Sequence, residues 1–413
     1  MAKQNKPAIR FKEFTDAWEQ RKLGEVVERI TRKNENLEST LPLTISAQYG
    51  LINQNEFFDK RIASKDVSGY FLVRNGEFAY NKSTSSDAPW GAIKRLDRYE
   101  SGVLSTLYIV FKILDESKTS SDYIVTYYNT DLWHKGIQAI AAEGARNHGL
   151  LNVAPADFFE TNLTMPKDYA EQQQIGSFFQ QLDHLITLHQ RKYDKLQVLK
   201  KAMLEKMFPK NGSSVPEIRF KGFTDAWEQR KLGEVVKEVT RNDPTSEVPI
   251  MMITANNGFI EQSERYAFDN AGESLKKYIL LQKGELAYNH GASKLRPFGS
   301  CFALTTAESA RIPFVYHCFS AENQNAEFLS IELNGSEVES QLRKIVSSGA
   351  RMDGLLNISF DEYSTVTVLL PDIKEQEHIA DFFRNLDHLI TLHQRELEKL
   401  QNIKKSMLEK MFV

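Results

Sequence analysis

The sequence predicts an α+β protein built as a tandem duplication, in which a mixed segment of strands and helices and one long helix each occur twice. An opening segment, IRFKEFTDAWEQRKLGEVVERITRKN at 9–34, returns at 218–243 with 20 of 26 positions identical. A closing segment that begins FFQQLDHLITLHQR spans 178–208 and returns at 382–412 with 23 of 31 positions identical. Self-similarity at one spacing indicates two copies of one fold in one chain.

Size and composition are those of an ordinary globular protein. The chain has 413 residues, of which 41% are hydrophobic, enough for a sizeable core and two or three domains. No apolar run approaches the roughly 20 residues of a membrane helix, and the start MAKQNKPAIRF lacks the apolar core of a signal peptide. We therefore expect a cytoplasmic protein. Cys301 and Cys318 show no metal-binding spacing, so buried, reduced thiols are expected.

The net charge of the chain argues against a simple nucleic-acid binder. It is -3 at pH 7, whereas a nucleic-acid-binding domain is usually basic. Lys and Arg concentrate in the repeated closing segments, and the intervening segments are neutral to acidic. If the chain binds DNA, we expect partners to supply much of the neutralisation of the phosphates.

The opening segment and the segment that follows it predict particular local structures. Phe11, Phe14, Trp18 and Leu23 form an apolar anchor before a short helix, and a core position is the better interpretation of Trp18. Strands running into glycine turns are predicted at 43–52 and 252–260. Apolar runs on both sides of Asn75-Gly76 and of Lys283-Gly284 predict β-hairpins at 70–83 and 278–291. Helical patterns follow at 124–140 and 328–345.

Each copy then predicts a long helix that begins just after a short strand and a proline. Asp168 and Asp372 suit the N-cap position, and Glu171 and Glu375 three residues later complete a capping box. Each helix could run for about 40 residues, or roughly 60 Å. Apolar residues at 3,4 spacing predict a pairing seam, and its candidate residues are Leu182, Leu185, His189, Leu196, Leu199, Met203, Leu386, Leu389, His393, Leu400, Ile403 and Met407.

The residues that catalysis would require are absent from the sequence. There is no GxxxxGK[ST] phosphate loop, no methyltransferase tetrapeptide of the [DNS]PP[YFW] type, and no serine in a nucleophile elbow. His184 and His189 lie five residues apart, as do His388 and His393, whereas a two-histidine site on a helix needs i,i+4 spacing. We interpret His189 and His393 as residues that fix the register of the seam, and predict neither catalysis nor a metal site.

Basic and polar residues cluster where the predicted strands turn and at the glycine-rich turns. Such side chains hold phosphates or contact base edges in the major groove. A solvated loop or an internal ion pair is the alternative for any one of them. The candidate DNA-binding residues are Lys82, Ser83, Lys94, Arg95, Arg98, Arg146, Asn147, Asn289, His290, Lys294, Arg296 and Arg351.

The repeated segments FFxxLDHLITLHQRxxxKLQxxKKxMLEKMF and IRFKxFTDAWEQRKLGEVV closely resemble the specificity subunit of type I restriction-modification systems. The resemblance covers essentially the whole chain. It implies two target-recognition domains that each read one half of an asymmetric bipartite DNA site. It also implies that the long helices pair as an antiparallel coiled coil with pseudo-twofold symmetry, set the spacer between the half-sites and dock the methyltransferase subunits.

The resemblance also implies the domain order, the partners and the location of the chemistry. The expected partners are double-stranded DNA, two methyltransferase (modification) subunits and restriction/translocase subunits. S-adenosylmethionine, ATP and Mg are expected in those subunits and no cofactor in this chain. The predicted domains are target-recognition domain 1 at 1–167, spacer helix 1 at 168–208, a linker at 209–217, target-recognition domain 2 at 218–371 and spacer helix 2 at 372–413.

A second function stays open on the residues alone. The duplicated helix would also suffice for a coiled-coil scaffold that joins two protein-binding modules and binds no DNA. The acidic net charge keeps this alternative open. A self-contained methylating or cleaving enzyme is a third possibility, which the missing motifs disfavour.

Overall fold

The computed structural model describes residues 6–46, 49–60, 62–141, 149–210, 212–255, 258–265, 272–346 and 355–413. The chain divides into two compact units. Unit 1 comprises Met1–Gln190 and Gln394–Val413, and unit 2 comprises Arg191–His393. Each long helix therefore contributes one part to each unit. The domain bounds given above stay a prediction.

Unit 1 combines short strands with α-helices, the last of which continues beyond the unit. Its strands are β1 (Glu19–Lys22), β2 (Val27–Ile30), β3 (Leu43–Ser46), β4 (Gly50–Asn53), β5 (Phe71–Arg74), β6 (Phe78–Asn81), β7 (Ala92–Arg95), β8 (Ser101–Leu104), β9 (Ile109–Ile113) and β10 (Asn162–Met165). Its helices are α1 (Gln54–Phe58), α2 (Ser121–Tyr127), α3 (His134–Ile140), α4 (Pro155–Phe159) and the first part of α5 (Tyr169–Lys206).

Unit 2 repeats this order of elements. Its strands are β11 (Glu228–Lys231), β12 (Val236–Glu238), β13 (Met251–Thr254), β14 (Gly258–Glu261), β15 (Ile279–Gln282), β16 (Leu286–Asn289), β17 (Ser300–Ala303), β18 (Ser309–Ile312), β19 (His317–Ala321) and β20 (Thr367–Leu370). Its helices are α6 (Gln262–Arg265), α7 (Ala326–Leu333), α8 (Ser336–Ile345), α9 (Phe360–Ser364) and the first part of α10 (Ile373–Lys410).

The strand pairings are the same in the two units. A four-stranded antiparallel sheet has the order β2-β9-β6-β7 in unit 1 and β12-β19-β16-β17 in unit 2. The remaining strands form two-stranded sheets, β1-β10, β3-β4 and β5-β8, with exact counterparts in unit 2. The predicted tandem α+β duplication is therefore confirmed, including its divergent segments.

The hairpins predicted around Asn75-Gly76 and Lys283-Gly284 are wrong in their pairing, although both turns exist. Gly76 and Gly284 have φ angles of 83° and 84°, the left-handed region that glycine tolerates. However, β5 pairs with β8, whereas β6 lies between β7 and β9. Both strands are buried on both faces, so each can join a different sheet. The turn therefore passes the chain from one sheet to another.

The opening segments also differ from the expectation of a short helix. In each copy a strand, β1 or β11, precedes a single turn of 3-10 helix at Leu23–Glu25 or Leu232–Glu234. β1 pairs antiparallel with β10, which places the start of the unit beside the strand that leads into α5. The predicted core position of Trp18 is confirmed, because this side chain is buried in the main apolar cluster.

Substituting Gly176 should reveal how closely α5 approaches α2. A Cβ at this position would lie 2.7 Å from Cβ of Asp122 and 2.8 Å from the backbone N of Tyr123. Overpacking of this kind costs about 1–3 kcal/mol, more than the roughly 1 kcal/mol that alanine gains over glycine in a helix. We expect Gly176→Ala to lower the urea midpoint of unfolding measured by circular dichroism.

Gly136 in α3 provides the matched control for this substitution. Its added Cβ would meet only the side chain of Thr161, at 3.5 Å, an ordinary contact. Gly136→Ala should therefore leave the midpoint unchanged or raise it. A Gly176→Ala protein as stable as the Gly136→Ala protein would contradict the close approach.

Candidate nucleic-acid interface

In unit 1 the end of β6 lies against the chain that leaves the glycine-rich turn. The backbone N–H and the hydroxyl of Thr84 both donate to the carbonyl of Gly149, at 2.8 and 2.9 Å. The N–H of Leu151 donates to the carbonyl of Lys82 at 2.9 Å, and Ser83 forms a β-bridge with Leu150. The structure therefore places Lys82 and Ser83 beside the exit of the glycine-rich turn, with Ser83 exposed and Lys82 half-buried.

Unit 2 has the same arrangement at the end of β16. The N–H of Leu356 donates to the carbonyl of His290 at 2.9 Å, and Gly291 forms a β-bridge with Leu355. Asn289 donates its side-chain N–H to the carbonyl of Ile253 at 3.1 Å. The predicted residues Arg146, Asn147 and Arg351 lie outside the described residues, so their positions in the turns stay predictions.

Lys94 and Arg95 on β7 face the interior of unit 1. The Nζ of Lys94 donates to Oδ1 of Asn129 at 2.8 Å, and burial lowers the pKa of this lysine. Arg95 forms ion pairs with Asp97 and Asp122, at 2.6 and 2.8 Å. These partners favour a structural role for both side chains, the alternative that the sequence left open. Arg98, in the loop that follows β7, is exposed.

His290 is likewise engaged inside its own unit. Its Nδ1 lies 2.8 Å from the carbonyl oxygen of Leu356 and its Nε2 lies 2.6 Å from that of Val315. The ring also stacks on His317, with centroids 5.0 Å apart. His290 is thus placed to hold the exit of the glycine-rich turn rather than to face a ligand.

Arg296 and Lys294 lie on the loop between β16 and β17. Arg296 is half-buried, and one of its N–H groups donates to the carbonyl of Asn334 at 3.0 Å. Burial lowers the pKa of this arginine. Lys294 is exposed, so Ser83, Arg98 and Lys294 are the predicted residues that the structure leaves most accessible among those it describes.

Within each unit, the start of one long helix lies beside the end of the other. In unit 1, Phe179 of α5 packs against Phe412, with ring centroids 6.1 Å apart, and Asp183 pairs with Lys404 of α10 at 2.5 Å. The residue numbers rise along α5 as they fall along α10, so these segments run antiparallel. Unit 2 has the matching contacts, Phe383 with Phe208 at 6.2 Å and Asp387 with Lys200 at 2.5 Å.

The buried stripe of the long helices is shifted in places from the predicted seam. Leu182 and Leu386 are buried. Leu185 and Leu389 are 43% and 42% exposed, and Leu199 is 40% exposed. The apolar neighbours Ile186 and Ile390 lie on the more buried side. Adjacent residues point about 100° apart on a helix, so the stripe passes through the isoleucines.

The other predicted seam residues lie at intermediate depth. They are half-buried: His189, Leu196, Met203, His393, Leu400, Ile403 and Met407. Leu397, which the sequence pattern did not single out, is buried. No group of three or more His, Cys, Asp or Glu in the described part of the chain could hold a metal ion.

A buried ion pair joins each opening segment to a long helix. Arg10 donates through Nε and Nη2 to the two carboxylate oxygens of Glu171, at 2.6 and 2.7 Å. Arg219 and Glu375 repeat this bidentate geometry with the same distances. Glu171 is 1% exposed and Glu375 is 0% exposed. The hydrogen bonds to these carboxylates raise the pKa of both arginines.

This ion pair corrects the capping boxes that the sequence predicted. The N-caps exist, because Oδ1 of Asp168 accepts from the N–H of Ala170 at 2.8 Å, and Asp372 accepts likewise from Lys374 at 2.9 Å. Glu171, however, does not reach back to the cap. Its carboxylate binds Arg10 and accepts a third hydrogen bond from Trp18 Nε1, at 3.2 Å. A charged bidentate partner outweighs one backbone N–H.

The opening segments also contact the far ends of the helices. The N–H of Ile9 donates to the carbonyl of Lys410, the last residue of α10, at 2.9 Å. The N–H of Ile218 donates in the same way to Lys206, the last residue of α5, at 2.9 Å. Each bond satisfies a carbonyl that a helix end leaves without a partner in the helix. Each opening segment therefore holds the start of one long helix and the end of the other.

Among the described residues, no helix has the length and apolar character that crossing a membrane requires. No protein-family model matches the chain. Solved structures resemble it, among them the following three. Two of the three have low TM-scores. One is a chain from a study of complex assembly and conformational transition of the type I restriction-modification system, with a TM-score of 0.42 and 16% identity over 96% of this chain and 97% of that one. The other is the HsdS subunit from Thermoanaerobacter tengcongensis, with a TM-score of 0.40 and 16% identity over 96% of both chains.

The third structure carries the comparison. It is the S subunit of a type I restriction-modification system from M. genitalium, with a TM-score of 0.58 and 13% sequence identity over 99% of both chains. At this level of identity the similarity concerns the fold. The tandem architecture of this chain, with its two long helices, is the fold of that S subunit.

Proposed function

We propose that this chain is the DNA sequence-specificity subunit of a type I restriction-modification complex. The observation that carries the proposal is that the two copies share some segments and differ in others. The opening segments share 20 of 26 positions and the closing segments 23 of 31, whereas the segments between them keep the same strand pairings with different sequences. Two recognition domains that share one fold but differ in sequence suit two different half-sites of one DNA target.

The accessible ends of β6 and β16 support this proposal. Each is tied to the exit of a glycine-rich turn, so each unit presents a composite edge built from two distant parts of its sequence. Ser83 and Lys294 would contact phosphates or base edges there. Arg98 follows β7 at the opposite end of β6, so it stays a candidate by its exposure alone. Because Lys94, Arg95 and His290 are engaged within the protein, we do not assign DNA contacts to them.

The long helices would set the spacer and dock the methyltransferase subunits. They expose the same leucines in both copies, Leu185 and Leu188 on α5 and Leu389 and Leu392 on α10. Exposed apolar patches of this kind mark protein interaction sites. Since the motif is identical in the two copies, we propose one methyltransferase subunit at each. S-adenosylmethionine, ATP and Mg would belong to the partner subunits, and this chain would itself be non-catalytic.

Footprinting on random DNA tests this function against the scaffold alternative. The chain would be assembled with its methyltransferase subunits, and protected fragments would be selected and sequenced. We expect one asymmetric target with two specified halves and an unspecified spacer of fixed length. Protection without any common sequence would reject the recognition role and leave the scaffold that joins two protein-binding modules.

Lengthening α5 tests the role of the helices as a spacer. Inserting four residues between Gln190 and Leu199 adds about 6 Å of helix, while both variable segments keep their sequences. We expect the same two half-sites separated by a longer spacer in the selected DNA. A control that replaces four exposed residues of this stretch without changing its length should keep the original spacer. An unchanged spacer after the insertion would contradict this role.

A further inference from the structure

Unit 2 contains a cavity of about 680 Å³ between the end of α5, the start of α10, β17 and the α7–α8 segment. Phe208, Phe302 and Phe383 contribute apolar walls. Arg296 and Glu332 contribute charged side chains of opposite sign. Sites for small molecules typically have this size and this mixture of apolar wall and few polar groups.

The cavity follows from three differences between the copies. The strand registers match Lys94 to Phe302 and Arg95 to Ala303. The helix caps Ser120 and Asn325 occupy equivalent places, so seven residues later Tyr127 matches Glu332. Tyr127 is buried, with its ring 6.5 Å from that of Phe412, the counterpart of Phe208. Unit 2 therefore has Glu332, whose side chain is shorter than a tyrosine, where unit 1 has Tyr127. It also has Ala303 where unit 1 has Arg95.

Two ion pairs neutralise part of the charge around the cavity. Lys200 pairs with Asp387 at 2.5 Å, and Arg384 pairs with Glu327 at 2.8 Å. These four side chains line the cavity. Lys201, Glu205 and Glu337 also line it, and all three are exposed.

Glu332 and Arg296 are the more buried charges of the lining, and neither has an ion-pair partner within 4.0 Å among the described residues. Glu332 is 7% exposed, and its Oε1 accepts one hydrogen bond, from the N–H of Leu369 at 3.0 Å. Burial raises the pKa of this carboxyl to about 7. Arg296 has one hydrogen bond, to the carbonyl of Asn334. A buried charge is costly until a partner of opposite sign reaches it.

We propose that this cavity binds a small zwitterion with an apolar body, a molecule of the amino-acid class. Its ammonium group pairs with Glu332 and its carboxylate with Arg296, while the apolar body packs among the three phenylalanine rings. A simple anion or cation would satisfy one of the two unpaired charges and leave the other. The site is independent of DNA recognition and belongs to unit 2 alone. Tyr127 stands in unit 1 at the place of Glu332, and Ala88 at the place of Arg296, since the backbone N–H of each donates to the serine three residues earlier.

The test uses the purified full-length chain and three related probes in isothermal titration calorimetry. L-phenylalanine carries both charges, L-phenylalaninamide keeps only the ammonium, and 3-phenylpropionate keeps only the carboxylate. We expect saturable binding of one equivalent of L-phenylalanine, and at least tenfold weaker binding of the other two. Failure of L-phenylalanine to bind, or equal binding of all three probes, would overturn the proposal.

Substitutions then test whether the probe binds in this cavity. Glu332→Gln keeps a side-chain oxygen for the N–H of Leu369 but removes the charge, and Arg296→Gln removes the guanidinium. Each should weaken L-phenylalanine at least tenfold while leaving the far-ultraviolet circular dichroism spectrum unchanged. Glu116→Gln and Arg29→Gln, exposed in unit 1, are the charge-matched controls and should leave its affinity unchanged. Equal loss in the controls, or none in the cavity variants, would refute this location.

Discussion

Replacing Glu375 with alanine should lower the free energy of unfolding by about 3–5 kcal/mol, the usual cost of removing one partner from a buried ion pair. The substitution leaves the guanidinium of Arg219, whose side chain is 12% exposed, without the carboxylate that accepts its two hydrogen bonds. It also detaches the opening segment of unit 2 from the start of α10. Urea titration followed by circular dichroism measures the effect.

An exposed ion pair of the same unit is the control for this experiment. Lys283 pairs with Glu308 at 2.6 Å, but the two side chains are 53% and 85% exposed. Glu308→Ala should therefore cost less than about 1 kcal/mol. Glu171→Ala in unit 1 should cost at least as much as Glu375→Ala, because it also removes the hydrogen bond from Trp18. Costs for Glu375→Ala as small as those for Glu308→Ala would show that the buried pair does not anchor the opening segment.

The buried ion pair also shows what an internal repeat can reveal. Glu171 was predicted as a cap because capping is a local interaction, visible within four residues. Its actual partner, Arg10, lies 161 residues away, a separation that no local pattern reports. A signal was nevertheless present, since arginine and glutamate both recur in the second copy as Arg219 and Glu375. The recurrence of Glu171 as Glu375 is the more informative part, because the residues around it differ more between the copies than those around Arg10.

Prediction was accurate where structure depends on neighbouring residues and failed where it depends on distant partners. The helical period gave both long helices, and the glycines gave the turns at Gly76 and Gly284. The strand pairing predicted at these turns was wrong, because the choice between a hairpin and two separate sheets depends on strands β8 and β9. On α5, Leu185 and Ile186 are both apolar, so only packing decides which of them the helix buries.

Prediction of the candidate DNA-binding residues met the same limit, because the sequence does not show which distant partners engage a side chain. Residue type selects Lys94 and Arg95 as well as Arg98, since all three are basic and lie near predicted turns. What separates them is the position of Asp122 on α2 and of Asn129 just after it, which engage Arg95 and Lys94 and leave Arg98 exposed. Burial and partners are properties of the fold, and the sequence alone gave clusters rather than individual contacts.

Exchanging the variable segment of unit 1 should have the largest effect on function under the proposed assignment. Replacing Leu43 to Asn162 with the corresponding segment of a relative retains Arg10 and Glu171, and with them the attachment of the unit to α5. Strand β1 is retained too, and its pairing with β10 uses backbone groups that any replacement residue at 162 supplies, proline excepted. We expect methylome sequencing to show one half-site replaced and the other unchanged.

The structural reason for this outcome is that each variable segment completes sheets within its own unit. In unit 1 the exchanged residues supply β3 to β9, and their pairing with the retained strand β2 runs through β9. A relative whose segment keeps the two apolar strands around a Gly76-like turn should therefore fold onto the retained parts. The reciprocal exchange in unit 2, from Met252 to Thr367, should change the other half-site alone. A change of both half-sites in either exchange would mean that the two variable segments do not read DNA independently.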